Sequence, residues 1–328
     1  MGIAILMAMV TEEEWLQRWC RIDPSRMPSF AELMDPLPMG RSGPPKPAKR
    51  LGFTALALAL VGTGALADWG WRQIAQPLPA DYQTLETVVS RLAAHNNLGN
   101  HPIGFSINNG SYAAVLAEMR GYCKDESCDF YAQLNPYKSY GKDWDEISRQ
   151  SYTLGDVGGW STSSGTVEIP RAAFRIYGSR TDWLACTVAH ELAHINRQHV
   201  FEASYYANNT IRSQPSKEQE KLNYAKSRQQ ELEADRDAAV MLARAGYRGR
   251  VCLNDLVFIH QSSGDGSATE TDSTHPGYND RTKAMATYYA ELEAHPPIKT
   301  KGTQGHFSYN AADNLLRFIP NGPDRALP

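Results

Sequence analysis

The chain has 328 residues, with 33 Lys+Arg against 36 Asp+Glu, and is 42% hydrophobic and 21% charged, the composition of an ordinary globular protein. A formal charge of −3 excludes a strongly basic nucleic-acid binder. Length alone allows roughly two domains, but the first fifth of the chain does not read as folded protein.

Residues 1–50 hold 7 of the 19 prolines, include the stretch PLPMGRSGPPKPAKR, and read as a disordered leader. Residues 51–66, LGFTALALALVGTGAL, form an apolar run without charge. Lys46, Lys49 and Arg50 precede it and Ala65-Leu66-Ala67 follows, the order of a secretory signal peptide, with cleavage after Ala67. At 16 residues the run is shorter than the ~20 of a usual transmembrane helix; an uncleaved membrane anchor over 51–67 is the alternative. A translation start near Met39 gives a compact basic region and makes residues 1–38 a mis-set start, against the alternative of a cytoplasmic tail. Residues 1–67 carry 7 of the basic and 6 of the acidic residues, so the remaining 261 have net charge −4. Residues 68–328 are enough for one domain with a sizeable core, and no later apolar run is long enough to span a bilayer.

Within that domain, residues 82–97 have helical periodicity, with Leu85, Val88, Val89, Leu92 and Ala93 on one face. Ile103, Phe105 and Ile107 alternate as in a short strand, and a helix covers Tyr112–Arg120. The stretch 121–158, rich in Tyr, Asp, Lys and Gly, reads as loops with short elements. Two strands, 158–162 and 165–170, flank a Ser-Ser-Gly turn. A helix capped by Thr181 or Asp182 runs to about His199. Residues 203–226 read as a polar loop, and a helix over about Lys226–Ala245 stops at Gly246. Val251–His260 is a shorter helix, 261–280 is loop-like, and a helix covers about Arg281–Ala294. The tail beyond His295-Pro296-Pro297 shows no pattern.

The cysteines fit the division of the chain. Cys20 lies in the leader, while Cys123, Cys128, Cys186 and Cys252 remain, an even number suited to an oxidising compartment. Cys123 and Cys128 flank a short loop and can bridge it, which leaves Cys186 and Cys252 as a long-range pair. Four reduced thiols are the other reading. No Cys-x-x-Cys pair exists for a cysteine zinc cage.

The chemistry is carried by His190-Glu191-Leu192-Ala193-His194, H-E-x-x-H inside a helix. Residues i and i+4 stack on one helical face, so both imidazoles can reach one zinc ion. Glu191 is offset by roughly 100° and can face zinc-activated water as a general base. A third ligand is required, and the best candidate lies in Glu231-Leu232-Glu233-Ala234-Asp235. Glu231 and Asp235 share a face; the first can bind zinc while the second accepts a hydrogen bond from a ligand histidine. Glu233 faces away. An acidic solvated helix face is the bland alternative. His199 reads as exposed or as capping the helix end. Asn208-Asn209-Thr210 fits a glycosylation sequon, which usually marks only a surface loop.

Together, H-E-L-A-H, then E-x-E-A-D, then His275-Pro276 and Arg281 resemble the family-48 gluzincin metallopeptidases, the group of the CAAX prenyl endopeptidase, HtpX and periplasmic BepA-type proteases. The resemblance covers about residues 155–290. It implies an α+β, zincin-like domain with a small mixed or antiparallel sheet packed on the zinc helix. It also implies one zinc ion held by His190, His194 and Glu231, with Glu191 as general base and Asp235 beyond the ligands. His275 matches a residue that, in periplasmic members, can take the fourth zinc position and hold the enzyme latent; alternatively it merely opens the next helix. Arg281 is then a structural or acid-orienting residue near the site. Where the family usually carries Asn-Ala on the strand before the zinc helix, this chain has Gly159-Trp160-Ser161-Thr162, so Trp160, Ser161 and Thr162 are the expected substrate edge strand. The interval between His194 and Glu231 lacks a membrane hairpin, and no tetratricopeptide repeats follow. The implied protein is a periplasmic or secreted zinc endopeptidase acting on polypeptides, with misfolded or unassembled envelope proteins as its expected substrates. It has no nucleic-acid partner and no stable membrane insertion after leader cleavage. A zinc-bound chaperone or binding module with little turnover is the rival.

Overall fold

The structure, a computed structural model, describes residues 78–155, 157–263 and 267–321. The leader, the apolar run 51–67, the cleavage site and the start near Met39 all lie outside the described residues.

Helix α1 (Ala80–His95) buries Tyr82, Leu85, Val88, Val89 and Leu92 as its periodicity predicts. Strand β1 (Ile103–Asn108) follows, then α2 (Ser111–Met119). A 3-10 turn, Asp125–Cys128, leads into α3 (Asp129–Gln133). Residues 142–154, expected to be irregular, form a 13-residue helix, α4 (Lys142–Leu154). Its buried positions Trp144, Ile147, Ser151 and Leu154 are helically spaced, but only three of them are large and apolar, so the periodicity is diluted. Gly155, at φ 95, ends α4 in the left-handed region that favours glycine.

A mixed five-stranded sheet has the order β2-β3-β1-β5-β4. At one edge lie β2 (Trp160–Ser161) and β3 (Thr166–Pro170), paired antiparallel across the predicted turn. β3 runs parallel to β1, with Phe105 opposite Val167 and Ile107 opposite Ile169. The other edge is a hairpin of β4 (Gly305–Asn310) and β5 (Leu315–Pro320), in the tail that showed no sequence pattern. β5 joins β1 antiparallel.

The remaining elements are helical: α5 (Arg171–Tyr177), α6 (Thr181–Arg197) and α7 (His199–Tyr205). A π-helical turn, Tyr206–Thr210, then precedes α8 (Ser216–Arg244). After it come α9 (Val251–Ser263) and α10 (Tyr278–Ala294). The polar interval 203–226 is therefore mostly helix, and α8 starts ten residues earlier than its apolar positions reveal, because its first turns are exposed. Neither Thr181 nor Asp182 caps α6 through its side chain; Asp182 instead faces Arg180 at 3.3 Å.

One core joins the inner faces of α1, β1, β3, β5, α6, α8, α9 and α10, with Phe105, Ile107, Ile169, Leu184, Leu192, Leu242 and Met285 at most 1% exposed. Each such side chain contributes about 1.5–3 kcal/mol by leaving water. A smaller cluster under α2 and α4 holds Tyr112, Leu116, Trp144 and Ile147. Two disulfides close, Cys123–Cys128 and Cys186–Cys252, as expected of an oxidising compartment. The second ties α6 to α9. Among the described residues, no helix is long and apolar enough to cross a membrane.

The pairing of β1 with β5 stops at Ser106, opposite Leu315. Beyond it, side chains replace the ladder. Ile107 N–H donates to the Tyr82 hydroxyl at 2.9 Å, and Asn314 Nδ2 donates to Ile107 C=O at 2.6 Å. The Tyr82 hydroxyl donates in turn to Asn314 C=O at 2.7 Å. Tyr82→Phe removes the acceptor and leaves a buried N–H unpaired, so we expect a loss of about 1–3 kcal/mol of stability, read from urea denaturation of the purified protein. A variant as stable as wild type contradicts this account.

Candidate metal centre

The helix α6 carries His190 and His194 one turn apart, and α8 lies against it. Both helices carry short buried side chains, Ala185, Ala189 and Ala193 on α6 and Ala234, Ala238 and Ala239 on α8, which permit a close approach of the two backbones. That approach brings Glu231 to the histidines. His190 Nε2 lies 3.1 Å from His194 Nε2, 3.2 Å from Glu231 Oε2, and His194 Nε2 is 3.4 Å from Glu231 Oε1. A tetrahedral ion bonded at about 2.0–2.1 Å sets two donor atoms about 3.3 Å apart, so these spacings fit. His190, His194 and Glu231 can hold a metal ion, and they form the one such group among the described residues.

Each histidine is held from behind. His190 Nδ1 lies 3.0 Å from Asp235 Oδ1, and Arg281 grips Asp235 with both arms, Nε to Oδ2 at 2.9 Å and Nη2 to Oδ1 at 2.6 Å. His194 is supported by a residue whose expected position was different. His199, read as exposed or capping, is 2% exposed, and its Nδ1 lies 2.9 Å from His194 Nδ1. In an unbroken helix five residues span about 500°, leaving the two rings some 140° apart. Gln198 adopts the left-handed conformation at φ 57, ends α6, and swings His199 back beneath His194.

Glu233 does face away from the ligands, but it meets His199, with Oε2 at 3.4 Å from Nε2. Arg197 closes the chain, 3.3 Å from Glu233 and 2.6 Å from Asp237. A ligand bound through Nε2 carries its proton on Nδ1. His199 must then accept at Nδ1 and present its own Nε2–H to Glu233.

Burial opposes charge on His190, but the hydrogen bonds it donates to Asp235 and Glu231 outweigh it and push the ring up to about 10. Burial likewise opposes charge on the carboxylates. The guanidinium of Arg281 nevertheless holds Asp235 well below the carboxylate range, and His190 holds Glu231 down to about 2. Burial, then the charge of His190, holds His194 down to about 4. The proton on His190 supplies the positive charge between two carboxylates, and a metal ion at Nε2 displaces it.

Glu191 is 6% exposed and lines the same cleft, a cavity of about 430 Å³ that also reaches Trp160, Ser161, His275 and Arg281. Burial raises its carboxyl to about 6, against the lowering charge of His190 and a hydrogen bond from Ser161. A Cβ at Gly159 would lie 3.1 Å from Thr187 Cγ2 and 3.2 Å from Glu191 Cγ, so a side chain there would crowd Glu191. β2 forms one edge of the sheet, and Thr162 follows it, its N–H bonded to Thr166 C=O at 2.9 Å. His275 stands at the mouth, 60% exposed, with Nε2 3.6 Å from Glu231 Oε2. Its loop is tied down by Arg228, which donates to Ser273 C=O at 2.7 Å. His260 packs on Tyr278 with ring centroids 3.7 Å apart.

No protein-family model, curated protein or solved structure matches the chain, so the resemblance rests on these residues alone. We expect His199→Ala to weaken metal affinity about 10–100-fold, measured by chelator competition. His199→Asn, whose side-chain oxygen can still accept from His194, should retain most of it. Equal affinity in all three proteins would remove His199 from the site.

Proposed function

We propose that this protein is a zinc-dependent endopeptidase with a zincin-like fold of the family-48 gluzincin type. The observation that carries the reading is the convergence, in one cleft, of two helical histidines and Glu231 with Glu191 beside them and a sheet edge alongside. Helical H-E-x-x-H with a glutamate from a second helix suits zinc, which takes imidazole and carboxylate ligands and leaves a position open in catalytic sites. Bound there, zinc supplies Lewis acidity toward a peptide carbonyl and lowers the pKa of water.

The chain's own residues do the rest. Glu191, its carboxyl raised toward neutrality, takes a proton from water and later delivers it to the leaving amine. The edge strand around Trp160, Ser161 and Thr162 aligns an extended polypeptide by β-addition. Asp235 and Arg281 fix the ring of His190. The His199–Glu233–Arg197 chain fixes that of His194.

His275, close to Glu231 on a surface loop, acts as the latency plug in this reading. The two disulfides and the apolar run at 51–67 support export to the periplasm or beyond, where unfolded envelope proteins are the available substrates. The position of His275 also favours the rival reading, a zinc-loaded binding module with little turnover.

Casein cleavage separates the two. Zinc-loaded wild type or His275→Ala should cleave, and Glu191→Gln should lose about 10²–10⁴-fold in rate while keeping about one zinc per chain. Glu231→Ala should lose the zinc, read by metal analysis of the purified protein. If wild type and His275→Ala both hold zinc and neither cleaves, the binding-module reading replaces the peptidase.

A further inference from the structure

Helix α9 turns the face Cys252, Asp255, Leu256 and Ile259 to the cleft, the i, i+3, i+4, i+7 stripe of a buried helix side. Three of these positions are apolar and the fourth is an acid. Asp255 is 3% exposed. The hydroxyl of Tyr177 hydrogen-bonds it and also lies 3.2 Å from Thr187 Oγ1. Asp255 Oδ1 has no hydrogen-bond partner among the described residues. The nearest cation of the catalytic site, Arg281, is engaged by both oxygens of Asp235.

A buried carboxyl oxygen without a donor is unfavourable, and nothing in the metal site uses this one. The wall around it, with Leu256, Ile259, Met285 and the Cys186–Cys252 disulfide, suits a methylene stem. A long side chain with an apolar stem and a donor at its tip matches that wall and that oxygen together. Burial also pushes the Asp255 carboxyl up to about 8, so it carries little charge near neutral pH until a cation reaches it.

We infer that Asp255 is a specificity-determining residue, selecting polypeptides that place a lysine or arginine beside the scissile bond, in the pocket between α6 and α9. The inference rests on the peptidase reading and adds the substrate class to it.

The test begins with zinc-loaded protein and casein, the cut sites being mapped by mass spectrometry. Peptides spanning one mapped site are then made with lysine, norleucine or glutamate at the position flanking the cut. Their affinities are measured by fluorescence anisotropy on Glu191→Gln, which binds without cleaving. The lysine peptide should bind at least tenfold tighter than the norleucine peptide, which has the same stem without the ammonium. Asp255→Asn should shrink that ratio and Asp255→Leu should reverse it, with zinc content unchanged. If either Asp255 variant fails to fold, the lysine-to-norleucine ratio on Glu191→Gln alone decides. Cleavage and binding with no preference for lysine overturn the role of Asp255 and leave the peptidase reading standing. Zinc-loaded wild type and His275→Ala that cut casein nowhere overturn both.

Discussion

The site depends on one contact, the packing of α6 on α8. The two histidines of α6 sit on one face because of helical geometry, but a third ligand exists only where a carboxylate from another helix comes within reach. Alanines on both helices allow that approach, and Glu231 and Asp235, one turn apart on α8, then meet the same imidazole from its two nitrogens. A bulky residue at these alanine positions would push the helices apart, and a displacement of about 1 Å is as large as the tolerance of such an arrangement.

The two ligand histidines are secured by different means. His190 leans on a carboxylate fixed by a bidentate arginine, a buried pair whose charges offset each other. His194 leans on a neutral imidazole, and the charge lies two residues further out, in Glu233, Arg197 and Asp237 near the surface. The difference shows in their proton affinities: His190 binds a proton tightly and His194 poorly. On His190 a proton would therefore compete with a metal ion for the ring nitrogen, whereas on His194 the nitrogen is free of that competition. The polar network outside the helix pair thus holds His199 beneath His194 and does more than solvate the surface.

Much of this was legible in the chain. H-E-x-x-H, the Glu231 and Asp235 spacing, the turn between β2 and β3, and both cysteine pairings need only local periodicity and residue chemistry. The support from His199 was not, because the chain turns back through a left-handed Gln198, a conformation glutamine does not advertise. Nor was the C-terminal hairpin, whose β4 reads Gly-His-Phe-Ser-Tyr-Asn and places only Phe307 and Tyr309 against the core, too few large side chains for the alternation to stand out. Helix α4 was obscured for the same reason, few large apolar residues. Asp255 was hidden differently: its spacing was visible, but only the pocket facing α9 gives an isolated acid a meaning.

The β1–β5 pairing has a consequence for how the molecule is made. The strand at the centre of the sheet is formed early in the chain, and the neighbour that covers its flank lies some 210 residues later, in the last segment described. Tyr82 and Asn314, which finish the end of β1, are separated by 232 positions. During synthesis, β1 waits with one edge open until the hairpin emerges. Contacts of such span slow folding. The sheet behind α6 is complete only when its final strand has arrived.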